Sequence, residues 1–118
     1  MARHSPYAAT VVTVVSSSSF AMSAVLEHAS VEAPARLVAE TRVEFRTAAM
    51  ECLERSAGQL RIDMASTQDV DASGLGTLVV LQKRARERGL STQLCAAQPQ
   101  IRSLLAATKL EGLFEFAS

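Results

Sequence analysis

Tryptophan is absent from this 118-residue chain, tyrosine occurs once and phenylalanine four times. So few rings cannot build the stacking platforms that hold unpaired bases. A surplus of one charge sign is missing as well: 12 Lys plus Arg balance 12 Asp plus Glu. No net field therefore draws the chain to nucleic acid or to an anionic membrane. Cysteine is scarce, and Cys52 and Cys95 lie far apart, each in an apolar pattern, while the two histidines, His4 and His28, fall near the N-terminus. A zinc site wants closely spaced thiolates or added histidines, so neither metal nor cofactor is expected. Free buried thiols suit a reducing cytoplasm better than a disulfide-stapled secreted fold. The apolar run Ala8–Val15 is far too short to cross a bilayer, so no membrane insertion is expected.

What is present fits one soluble domain with a single core: 48% hydrophobic and 20% charged residues. The N-terminal "MARHSPYAATVVTVVSSSSFAMSA" has little basic charge and an unconvincing cleavage site for a signal peptide. Its serine tract reads as a spacer, and Met22 offers an alternative start. Residues 1–21 are expected to form a poorly ordered extension, and residues 22–118 the domain.

Beyond it the elements alternate. Ala35–Glu40 can make a short strand. Thr41 is a good N-cap, and Glu44 three residues later completes a capping box for a helix. Phe45, Ala49, Cys52 and Leu53 then form one apolar stripe, ending before Gly58. Leu60–Ser66 reads as a strand with Leu60, Ile62 and Met64 on one face. A second helix runs to about Arg88, where Gly89 stops it. "STQLCAA" is another short strand, and Pro99 can occupy the first turn of a third helix. On that helix Ile101, Leu104, Leu105 and Thr108 share a face, and Leu110, Leu113 and Phe114 remain for docking. This alternation implies parallel pairing with right-handed crossovers.

The stretch "VDASGLGTLVVLQ", Val70 to Gln82, concentrates the candidate chemistry. As a dinucleotide fingerprint it fails, because Val79 stands where the third glycine should be. No Walker lysine follows the glycines. As a hydrolase elbow it fails too, since Asp71 and Leu75 replace the glycines flanking Ser73. The residues can, however, begin a helix: Asp71 or Ser73 can accept bonds from first-turn amides, with Gly74 and Gly76 keeping that turn unhindered. The same N-terminus would stabilise an anion placed there. A plain cap and an anion-binding or phosphorylated site both remain open on these grounds. The basic tail Lys83, Arg84, Arg86 and Arg88 reads as a solvated face near a helix C-terminus.

Taken in order, "LRIDMASTQDVDASGLGTLVVLQKRARERG" and the closing "IRSLLAATKLEGLFEF" resemble the STAS domain, the fold of bacterial anti-sigma factor antagonists. The likeness covers about Leu37 to Phe116. It implies an α/β fold, a small mixed β-sheet flanked by α-helices, and a non-enzymatic protein that binds a partner. In switching members of that family the loop reads Asp-Ser-Ser/Thr-Gly, and a kinase phosphorylates the serine after the aspartate. Asp71 matches the aspartate, Ala72 stands at the phosphoacceptor, and Ser73 matches the second hydroxyl position. Ser73 is thus the remaining phospho-site candidate. The resemblance implies a partner-binding surface at Asp71, Ala72, Ser73, Gly74, Gly76 and Thr77. It also implies one of two roles. The first is a cytoplasmic antagonist or signalling regulator that binds an anti-sigma factor or serine kinase-like protein. The second is an accessory subunit that binds the other subunits of a bacterial phospholipid-transport ABC complex.

Overall fold

A computed structural model describes residues 28–56 and 58–117. Their elements alternate along the chain: β1 (His28–Glu32), β2 (Arg36–Leu37), α1 (Arg42–Arg55), β3 (Gln59–Asp63), β4 (Asp69–Val70), α2 (Ala72–Glu87), β5 (Ser91–Cys95), α3 (Pro99–Ala107) and β6 (Glu115–Ala117). A short 3-10 turn, Glu111–Leu113, precedes β6. The main sheet has the order β1-β3-β5-β6, and all three of its pairings are parallel. A separate two-stranded pairing joins β2 to β4, also parallel. This is the α/β architecture expected, a small sheet with flanking helices; where a mixed sheet was expected, every pairing among the described residues is parallel.

The connections step across the main sheet in one direction, so right-handed crossovers place the three described helices on one face. Alternation within the strands agrees. Leu60 and Ile62 of β3, with Thr92 and Leu94 of β5, are buried against the helices, and Met64 continues the same face beyond β3. Phe45, Ala48, Ala49, Cys52 and Leu53 meet them from α1, Leu78, Leu81 and Ala85 from α2, and Ile101 and Leu105 from α3. Leu104 is only half-buried and Thr108 is exposed, so the expected α3 face narrows to two residues.

Several expectations are corrected. The strand over Ala35–Glu40 shrinks to Arg36–Leu37, because the chain turns at Val38 to enter α1. Thr41 does stand before α1, but no capping box forms: its hydroxyl makes no bond into the first turn. Instead it donates to the Arg36 carbonyl (2.6 Å) and accepts from the Val38 amide (3.0 Å). β1, β4 and β6 had no counterpart in the sequence reading. The extension expected over residues 1–21 lies outside the described residues, as does most of the segment leading into β1.

Candidate functional site

The site grows from a helix start. Asp71 is the N-cap of α2, with extended backbone, and its Oδ1 accepts from the Gly74 amide at 2.9 Å. This settles which of the two candidates caps the helix: Asp71 does, and the Ser73 side chain is left out of the cap. The other carboxylate oxygen, Oδ2, accepts from the Ala39 amide (3.2 Å), 32 residues earlier in the turn that leads into α1. One exposed carboxylate therefore ties two helix starts together. The Gly74 N–H has the largest effect on it and holds the carboxyl below its ordinary value of 3.8. Loss of hydration pushes the other way, and the Ala39 N–H then adds to the lowering.

Backbone contacts draw α2 still closer to β2. The Asp71 amide donates to the Leu37 carbonyl at 3.3 Å. Gly74 is buried, and a Cβ there would fall on that same Leu37 oxygen. Only glycine permits this approach. Gly76 meets nothing within 4 Å and needs no such explanation.

The six expected partner-binding residues are together, but they divide by exposure. Asp71, Ala72 and Gly76 are exposed and Ser73 is half-buried. Gly74 and Thr77 are buried, and the Thr77 hydroxyl turns inward to donate to the Ser73 carbonyl at 2.9 Å. Ala72 presents a bare methyl in the first helical position. Ser73, Gly76 and Val80 follow at i, i+3 and i+7 and so share a face of α2, and Val80 is one of two large exposed hydrophobics among the described residues. The basic tail Lys83, Arg84, Arg86 and Arg88 is exposed, and among the described residues none of the four forms an ion pair.

The sequence reading missed the contribution of Leu37 and Ala39. Gly74 was the one signal for it, since glycine inside a first turn marks a close backbone approach without naming the neighbour. Among the described residues no group of three or more His, Cys, Asp or Glu is placed to hold a metal ion. No helix among them is long and apolar enough to cross a membrane.

Comparison with known proteins gives this geometry a family context. The family profile described as STAS domain matches residues 12–118. No curated protein matches the chain by sequence. Among solved structures, a candidate anti-sigma factor antagonist from Thermotoga maritima is similar with a TM-score of 0.69 at 16% identity, covering 78% of this chain and 80% of that one. An anti-sigma-factor antagonist (STAS) domain protein from Planctomyces limnophilus gives 0.69 at 19%, covering 76% and 81%. A sulfate transporter family protein from Wolinella succinogenes gives 0.68 at 16%, covering 78% and 77%.

Proposed function

Because this chain belongs to the STAS domain family, we propose that it works without catalysis, by binding a partner protein through the start of α2. Asp71, Ala72, Ser73 and Gly76 supply the contact surface, while Gly74 and Thr77 shape it from beneath. The role that best fits is a cytoplasmic anti-sigma factor antagonist or related signalling regulator, its partner an anti-sigma factor or serine kinase-like protein. The observation that carries the reading is the exposed methyl of Ala72 on a rigidly capped helix start. A surface so fixed, without the hydroxyl that switching relatives phosphorylate, suits constitutive binding.

Ser73 is the one place left for a switch in this loop. Its hydroxyl is not consumed by the cap, so the obstacle there is electrostatic. A phosphoryl group adds about −1.5 to −2 charge at neutral pH, two residues from an Asp71 carboxylate held ionised by two amides. Incubation with ATP and a purified anti-sigma serine kinase that binds this chain should leave the intact mass unchanged and the complex assembled. Stoichiometric gain of one phosphate on Ser73 would overturn the constitutive reading.

The likeness to a sulfate transporter family protein supports a second role, an accessory subunit of a transport assembly such as a phospholipid-transport ABC complex. Permease and ATPase genes beside this one, in place of sigma-factor and kinase genes, would decide for it.

A further inference from the structure

Thr41 looks like a helix cap in sequence and is not used as one. Its hydroxyl points back along the chain, closing a clip that spans Arg36 to Thr41: it donates to the Arg36 carbonyl at 2.6 Å and accepts from the Val38 amide at 3.0 Å. The Thr41 and Arg42 amides both return to the Val38 carbonyl, at 3.0 and 2.9 Å, which tightens the turn. Within that turn only the Ala39 amide reaches out of it, to Asp71 Oδ2. The clip begins on β2, whose Leu37 carbonyl already receives the Asp71 amide and faces Gly74.

We infer that Thr41 is a positioning residue for the α2 site: its hydroxyl sets the Val38–Thr41 turn so that the Ala39 amide holds the Asp71 carboxylate in place. The reasoning is one of satisfied groups. Without the hydroxyl, the Arg36 carbonyl and the Val38 amide lose a partner, and the turn has less reason to keep its shape. An amide that must meet a carboxylate oxygen 32 residues away tolerates little drift, because a hydrogen bond weakens steeply with distance and angle. Thr41 itself is half-buried and needs no contact with the partner to matter. Its link to binding rests on the proposed function; its link to Asp71 does not.

The test uses the full chain and needs no partner for its first arm. In Thr41→Val, which keeps the shape but removes the hydroxyl, the Ala39 amide signal in a nitrogen–proton correlation spectrum should lose its downfield, carboxylate-bonded position. Its dependence on Asp71 titration should shrink, and Asp71 should titrate closer to its ordinary range. Thr41→Ser should restore both. Thr41→Ala carries the same test if the valine variant fails to fold. An unchanged Ala39 signal and Asp71 titration in the hydroxyl-free variant would overturn the inference. In the second arm, affinity for an anti-sigma serine kinase shown to bind the unaltered chain should fall about tenfold in Thr41→Val and return in Thr41→Ser. If Ala39 and Asp71 respond as expected but affinity stays constant, Thr41 still positions Asp71, and it is the placement of partner contact at Asp71 that fails.

Discussion

One missing side chain, at Gly74, lets α2 press its first turn against the Leu37 carbonyl, and one carboxylate, at Asp71, fastens that approach from both sides. Cys52 shows the opposite case, a group whose chemistry is suppressed by where it sits. It is fully buried on α1, and burial pushes its thiol up to about 12 from 9.0, with Arg55 pulling weakly the other way. In the native protein Cys52 should resist iodoacetamide at pH 8, while the half-buried Cys95 is alkylated first. Since the folded value lies above the unfolded one, the contribution to stability is fully present below pH 9. It declines as pH rises from about 9 towards 12, because only the unfolded chain then releases the proton. The urea midpoint should fall across that window, and fall less in Cys52→Ala. Equal slopes for the two proteins would refute the assignment.

Elements were legible wherever a local signal ends them. α2 runs from a cap that the sequence narrowed to Asp71 or Ser73 to a glycine stop it marked outright: Gly89 takes φ +73°, its amide bonds Arg86, and the Leu90 amide reaches back to Ala85. α3 closes with the same pair of bonds, Lys109 to Ala106 and Leu110 to Leu105, yet with a lysine at φ +62° in the glycine position. Nothing in the sequence marks that turn, which is why the end of α3 was harder to read. A left-handed conformation costs an L-residue roughly 1–2 kcal/mol, partly offset by glycine's freedom in the unfolded chain. Lys109→Gly should therefore stabilise the protein by about 0.5–1 kcal/mol in urea unfolding. Gly89→Ala should destabilise it by about 1 kcal/mol although its side chain would meet nothing. A destabilising Lys109→Gly would mean that the lysine side chain matters more than its backbone. β4 and β6 escaped the reading for a different reason: at two and three residues they are too short for period-two alternation to show. The Thr41 hydroxyl misled because it had two chemically equal choices, the helix ahead or the turn behind, and only the tertiary turn decides between them.

At the scale of the whole molecule, the parallel order was legible from alternating elements, but the one-sidedness of the sheet was not. Parallel sheets are ordinarily covered on both faces, and among the described residues the crossovers all leave helices on one. Among the described residues the other face is lined by polar side chains that bond each other across strands: Gln59 to Ser91 (3.1 Å) and to Glu115 (2.7 Å), and Arg61 to Gln93 (2.9 Å). These bonds satisfy the polar groups without a second core. The two faces should then respond very differently to truncation at adjacent positions of β3. Ile62→Ala empties a fully buried site against the helices and should cost about 2–5 kcal/mol. Arg61→Ala removes one half-buried polar contact and should cost about 1 kcal/mol or less. A double-mutant cycle with Gln93→Ala should return a coupling of about 0.5–1 kcal/mol, the size of one cross-strand pair. If Arg61→Ala approached the cost of Ile62→Ala, the polar face would have to be packed against a further layer, and the one-sided architecture would be wrong.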